Sequence, residues 1–398
     1  MLLENINHLP VIKALYFNGT VSCAEISKIT GSSIPNVSKN LTELIEAGIV
    51  AENGFASSKG GRKPLLYALI PDRFYIVSVA IDQFYTKIGI VNLDNEFITE
   101  IEGFEFNLYA PSTTSDGLVN KINGFINNSN IDKNRICAIG ISLPGFVDVE
   151  KGINKTFFKD AGEGLRDYIA ENTGFSTFID NDSSAIALAE LKFGIGREKK
   201  EMMVLNISWG IGLGMIVNGE IFRGFSGFAG EFSHIPLFKN EKICSCGKRG
   251  CLETEASLIL IQQQAKEAIE EKQPTRISLD KNGNVAIKSI MTEAKNGDAL
   301  AIKLISNAGY QIGRALAVLV HIMNPQTIVL SGKGGEAGKL WLAPIQQALN
   351  ELCIPVLLDD IEVVVSTLGN NAQLIGGAAL VIENIDQISS LNAIQVHN

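Results

Sequence analysis

The stretch Gly230–Glu253, GEFSHIPLFKNEKICSCGKRGCLE, gathers one histidine, His234, and three of the chain's six cysteines, Cys244, Cys246 and Cys251, around the glycines Gly247 and Gly250. Thiolate and imidazole are the donors a tetrahedral zinc prefers, and a Cys-x-Cys turn beside glycine lets sulfurs converge at about 2.3 Å from one ion. Ordinary buried thiols with a surface histidine are the alternative; three cysteines inside eight positions beside turn glycines weigh against it. The spacing therefore predicts one zinc per chain, held by His234, Cys244, Cys246 and Cys251. Four protein donors leave no open coordination position, so the metal is structural. Glu231 precedes His234 by three residues and Glu253 follows Cys251 by two. A metal that fixes this loop also aims two carboxylates, which accept hydrogen bonds from hydroxyl groups; taken alone they read as solvated surface glutamates.

Composition bounds what surrounds this loop. At 398 residues, 46% hydrophobic and 19% charged, the chain has room for two or three globular domains. No apolar run of about 20 residues is free of charge, and the start, MLLENINHLP, lacks the basic and apolar blocks of a signal peptide. Together with the scattered Cys23, Cys137 and Cys353, this places the chain in a reducing cytoplasm, away from membranes. A net charge of −9 excludes nucleic-acid binding by the whole surface, so any such contact is local.

Residues 1–72 read as a separate unit. Val11–Phe17 is an apolar-periodic helix, Ser22 caps a second (CAEISKIT), Gly31 turns, and Ser33–Ala47 forms a third. Ile26, Ile29, Val37, Leu41, Leu44 and Ile45 are expected to pack the three helices together. Ser33, Pro35, Asn36, Ser38, Lys39 and Asn40 then face outward, and short polar side chains at the start of the third helix suit a DNA major groove. Ile49–Ala51 and Leu66–Leu69 pair as a wing around SSKGGRKP, whose Lys59, Arg62 and Lys63 suit a minor groove or phosphates. A protein-interaction module with a solvated basic loop is the competing reading. Pro71 and Asp72 close the unit. After them come the hairpin-like run around DQFYTK, a buried strand Ile136–Leu143 ending in Pro144-Gly145, and a strand ending at Ile179 before an acidic helix start. The hairpin at Met202 carries Gly210, Gly212 and Gly214. Long helices over Ala256–Lys272 and Ala299–Met323 follow, then the strand-to-glycine run TIVLSGKGG.

The runs GEFSH and CSCGKRGCLE, with LPGFVD (143–148), NDSSAIALAELKFG (181–194) and GIGLG (210–214), resemble the signature of the ROK family, which comprises sugar kinases and sugar-responsive transcriptional repressors. The resemblance implies an α/β fold in which an N-terminal winged helix-turn-helix precedes a two-lobed actin-like (ribonuclease H-like) ATPase-fold module. Its small lobe would span 73–180 with a C-terminal helix at about 380–398, and its large lobe 181–379 with the zinc loop. It assigns Asn181, Asp182, Glu231, His234 and Glu253 to a sugar, Asp182 being the base if the chain were a kinase. It also brings the DNA-binding set together: Ser33, Pro35, Asn36, Lys39, Asn40, Lys59, Arg62 and Lys63, the last three on a wing that shares the family repressors' GR-x-P pattern. Where family kinases carry glycines and a threonine for the phosphates of ATP, this chain has Phe84-Tyr85 and Ser208-Trp209. The implied function is a sugar-responsive DNA-binding regulator, a repressor of carbohydrate uptake or catabolism genes released by a sugar or sugar phosphate. The alternative is an ATP-dependent sugar kinase carrying a DNA head. On the favoured reading no ATP is bound and no reaction catalysed. The expected partners are a double-stranded DNA operator, the sugar, a second copy in a homodimer or homotetramer and, as in some family repressors, a sugar-transport protein.

Overall fold

The computed structural model describes residues 8–57, 63–162, 164–281 and 283–388. Its head begins with helix α1 (Leu9–Asn18), then strand β1 (Val21–Ser22), α2 (Cys23–Thr30), α3 (Ile34–Glu46), β2 (Val50–Phe55) and β3 (Leu65–Leu69). Ser22 starts α2 through a reciprocal cap: its hydroxyl accepts from Glu25 N–H while the Glu25 carboxylate accepts from Ser22 N–H. Gly31 ends the helix at φ 68°, a left-handed conformation that glycine adopts without strain. The three strands form an antiparallel sheet in the order β1-β3-β2. Ile26, Val37, Leu41 and Leu44 are buried as expected. Three expectations for this unit are corrected. Ile29 is 49% and Ile45 36% exposed, whereas Asn40 is buried at 3%. Helical spacing explains Asn40: it lies three residues after Val37 and four before Leu44, on the inward stripe.

Beyond the head, β4 (Tyr75–Ile81), β5 (Tyr85–Val91), β6 (Glu102–Glu105), α4 (Ser115–Asn128), β7 (Ile136–Leu143), β8 (Val147–Asp148), β9 (Ile153–Asn154), α5 (Leu165–Thr173) and β10 (Thr177–Asn181) complete the first lobe. The last strand runs two residues past its expected end at Ile179, because Asp180 and Asn181 pair in register with Ser142 and Leu143. The sheet order is β10-β7-β4-β5-β6. Strands β4 and β7 are buried along their whole length, the mark of a sheet covered on both faces.

The second lobe starts with α6 (Asp182–Phe193), then β11 (Met202–Ile207), β12 (Ile211–Val217) and β13 (Glu220–Ile221). Helices α7 (Glu253–Ala256), α8 (Leu258–Glu270), α9 (Ile287–Lys295) and α10 (Ala299–Met323) follow, and β14 (Thr327–Ser331), α11 (Leu342–Leu352) and β15 (Glu362–Val365) complete the lobe. The single helix expected over Ala256–Lys272 is divided at Ser257, whose hydroxyl accepts from Leu260 N–H and so starts α8 afresh. The sheet order is β13-β12-β11-β14-β15. Numbered within its own lobe, each sheet reads 3-2-1-4-5, with the first three strands antiparallel and the last two parallel. That repeated order is the actin-like, ribonuclease H-like architecture. Helix α6 covers one sheet face through Ile186 and Ala187, while α8 to α11 bury the other around Leu205, Ile207, Leu330 and Trp341. Among the described residues no helix is long and apolar enough to cross a membrane.

Packing divides the chain into two compact units, residues 1–181 with 374–398 and residues 182–373. Helix α12 (Ala372–Glu383) returns the chain to the first unit. It carries the small residues of the run GNNAQLIGGAALV (369–381), and of the C-terminal helix expected at about 380–398, residues 389–398 lie outside the described residues. A Cβ on Gly140 of β7 would stand 1.9 Å from the Gly377 carbonyl oxygen, so only paired glycines permit the approach. Gly140→Ala is expected to destabilise the chain by about 1–3 kcal/mol through overpacking. Gly124→Ala in α4, where the added methyl meets nothing within 4 Å, should instead be neutral or slightly stabilising. Denaturant midpoints of the two variants check both signs.

Candidate functional site

The 230–253 loop is shaped by glycines that no other residue could replace. Gly230 has φ 102° and a Cβ there would lie 2.4 Å from the Leu213 carbonyl oxygen; at Gly250, φ 78°, it would lie 2.2 Å from that of Phe238. Phe232, 3% exposed, anchors the following 3-10 turn in the core and presents His234. Cys244 N–H donates to the Lys248 carbonyl and Gly247 N–H to that of Cys244, closing a tight turn around the sulfurs.

The donor atoms of His234, Cys244, Cys246 and Cys251 all lie within 4.8 Å of one another. His234 Nδ1 is 3.4 Å from Cys244 Sγ, and the sulfurs of Cys246 and Cys251 are 3.6 Å apart. Burial, and then the neighbouring thiols of Cys246 and Cys244, push the Cys251 thiol up to about 12. One imidazole and three sulfurs converging on one point are a metal's ligand set, so the donor set fits a metal ion.

The expected hydroxyl acceptors gather beside this cluster. His234 Nε2 lies 3.7 Å from Glu231 Oε2, so the ring turns one nitrogen to the sulfurs and the other to a carboxylate. Desolvation holds the Glu231 carboxyl above its ordinary range; His234 pulls it down, and the charges of Asp182 and Glu253 push it further up. Glu253, the first residue of α7, accepts through Oε1 from Ser245 Oγ at 2.8 Å and from Cys244 Sγ at 3.4 Å. Asp182 opens α6; its Oδ1 accepts from Ser183 N–H at 2.8 Å, and its Oδ2 accepts from Asn206 Nδ2 at 3.2 Å. Asn206 escaped the sequence reading. The signal was available, a single amide in the apolar strand MMVLNI, buried to 4% and also bonded to Ser183 Oγ. Asn181, last residue of β10 in the other unit, donates from Nδ2 to the Gly145 carbonyl at 3.1 Å.

The positions compared with phosphate loops carry side-chain contacts of their own. Asp82 Oδ1 accepts from Phe84 N–H at 2.7 Å and Tyr85 N–H at 2.8 Å, consuming the amides of that turn. Tyr85 packs so closely over Gly103 that a Cβ there would lie 2.5 Å from its hydroxyl. Lys333 Nζ stands 5.1 Å from the centre of the Trp209 ring. Gly212 and Gly214 serve packing: a Cβ on the first would lie 1.9 Å from Ser183 Oγ, and on the second 2.3 Å from Ala187 Cβ, so they admit α6 against β12. Ser331, Gly332, Gly335, Glu336, Ser366 and Asn370 line a cleft of about 110 Å³ at the ends of β14 and β15.

In the head, Ser33, Pro35, Asn36 and Lys39 are exposed at the start of α3, and Lys63 is exposed beside the wing. Asn40 is not with them, being packed inward. Lys59 and Arg62 lie outside the described residues.

A family model described as the ROK family matches residues 79–384. The chain is 29% identical over 395 residues to a xylose repressor of Caldicellulosiruptor bescii, covering 96% of this chain and 97% of that protein. It is 34% identical over 257 residues to a glucokinase of Halalkalibacterium halodurans, covering 63% of this chain and 77% of that enzyme. A crystal structure of a ROK family transcriptional regulator, homologous to the MLC protein of E. coli, is similar with a TM-score of 0.78 at 27% identity, covering 99% of both chains. If the donor cluster fixes the loop through a metal, purified chain should carry one divalent ion, and Cys251→Ser should lose it and melt several degrees lower. Wild-type chain stripped by a chelator and melting unchanged would count against that dependence.

Proposed function

The chain belongs to the ROK family, and from that premise we propose that it is a sugar-responsive DNA-binding transcriptional regulator, a repressor of carbohydrate genes released by a sugar or sugar phosphate. The observation that carries this reading is the end-to-end match to a repressor, 96% of this chain against 97% of the relative, with the winged head included in the fold. On this reading Ser33, Pro35, Asn36 and Lys39 enter the major groove, and Lys63, with Lys59 and Arg62, follows phosphates or the minor groove. Asp182, Glu231, His234 and Glu253 accept or donate to sugar hydroxyls, and Asn181, next to Asp182 in the chain, is the fifth contact. The protein acts in the cytoplasm as a homodimer or homotetramer, since a helix-turn-helix reads half-sites about 34 Å apart through paired heads.

The metal of this reading is zinc, one per chain. Tetrahedral bonds of about 2.3 Å to sulfur and 2.0–2.1 Å to nitrogen require donor separations of about 3.8 Å between sulfurs and about 3.6 Å between sulfur and nitrogen. The separations of 3.6 Å and 3.4 Å match that geometry. Zinc bound there would be structural: it would hold His234 by Nδ1 and leave Nε2 beside Glu231 for a hydroxyl.

The second reading, a sugar kinase, is favoured by the glucokinase relative and by the presence of Asp182, which would be its base. Against it stand the Phe84-Tyr85 turn, whose amides Asp82 already holds, and the Trp209 indole where a small residue would meet a phosphate. Selection of duplexes from the source genome is expected to yield one palindromic site. Asn36→Ala and Lys39→Ala should weaken binding to it, the lysine change lowering the salt slope by about 1. Asn40→Ala should lower stability more than affinity. Incubation with ATP and a panel of hexoses is expected to give no sugar phosphate; phosphorylation abolished by Asp182→Asn would make the chain a kinase.

A further inference from the structure

We propose that Lys13 is a positioning residue for DNA recognition, latching head helix α1 to the C-terminal end of α12 so that the lobe carries the head as a fixed part. The proposal rests on the regulator reading and names how that regulator aims its head. Helix α1 buries Leu9, Val11, Ile12, Ala14, Leu15, Tyr16 and Phe17, too many for a helix with one face on a small domain. A helix apolar nearly all round is covered from more than one side. Within the head it packs on α2, α3 and β3. Its remaining surface meets the lobe: Tyr16, 5% exposed, donates from its hydroxyl to Asn95 Oδ1 at 3.4 Å in the turn after β5.

Lys13 makes the polar part of this joint. Its Nζ donates to the Glu383 carbonyl at 2.6 Å and to Asp386 Oδ1 at 3.2 Å. Glu383 is the last residue of α12, where carbonyls lack a partner within the helix and the helix dipole is negative. An ammonium there binds a helix-end carbonyl and opposes the dipole at once. The Asp386 side chain is 50% exposed, so its charge is screened and the carbonyl bond is the firmer of the two. Helix α12 is itself tied to the lobe sheet, Ser78 Oγ donating to the Leu374 carbonyl at 2.6 Å and Gly377 lying against Gly140. At the start of α1, buried His8 places Nε2 2.5 Å from Glu43 Oε2 on α3. Helix α1 thus meets the recognition helix at its start and the lobe through Lys13 and Tyr16.

A head fixed in this way dictates the distance between half-sites, whereas a tethered head would not. The test uses the full chain and the duplex that wild type recovers from a random pool, alone and with two base pairs inserted between half-sites. The insertion is expected to cost wild type about tenfold or more in affinity and to cost Lys13→Met less than about threefold, with Lys13→Arg restoring the wild-type dependence. A Lys13→Met chain as sensitive to spacing as wild type would overturn the latch and leave the regulator reading standing. Recovery of no duplex by wild type would overturn both. Should Lys13→Met fold poorly, Lys13→Gln is the milder variant: relaxed spacing dependence supports the latch, and unchanged dependence counts against it.

Discussion

Convergence of one imidazole and three sulfurs is the constraint on which the rest of the site depends. The loop that carries them has little regular structure, and its 3-10 turn and bridges are too short to hold two glutamates and a histidine in a set arrangement. Their arrangement goes with a cluster whose donor atoms lie within 4.8 Å of one another and with glycines that let the backbone pass against Leu213 and Phe238. His234 belongs to both parts of the loop. Nδ1 faces sulfur and Nε2 faces Glu231, so the ring's orientation is set by the cluster and felt by the carboxylates.

The residues assigned to a sugar and the positions compared with phosphate loops differ in this chain, and the difference is physical. Sugar recognition needs acceptors held at an angle, and Asp182 is held, by Ser183 on one oxygen and by Asn206 on the other. Phosphate recognition needs bare backbone amides and room for close approach. The turn after β4 spends its amides on Asp82 and sets an aromatic ring over Gly103. Glycines that look like phosphate-loop residues, Gly212 and Gly214, have a packing duty, since α6 sits too near β12 for any side chain.

Much of this was legible in the sequence, where the cause was local. The cap of Ser22 and Glu25, the stop at Gly31 and the buried strand Ile136–Leu143 are decided by residues a few positions apart, and the donor cluster lies within the single stretch 234–251. Asn40 is polar, yet its place on the stripe of Val37 and Leu44 decides its burial. Ile29 and Ile45 are apolar, yet they lie exposed. The break at Ser257 needed a capping hydroxyl to be noticed inside an apolar run. What no local pattern carries is pairing at long separation: Gly140 with Gly377, Asn206 with Asp182, Lys13 with Glu383. In each of these the partner is chosen by the fold, and the sequence shows only a small or polar residue whose purpose is elsewhere.

The central claim is that a sugar held by the carboxylates beside the cluster governs the hold of the head on DNA. Its most direct measurement is the affinity of the full chain for its selected duplex, titrated with single sugars and sugar phosphates in the absence of ATP. The account predicts that one of them releases the duplex at saturation, and that Glu231→Gln keeps DNA binding but loses the release. Release unaffected by that change, or a duplex held equally tightly whatever sugar is added, would contradict it.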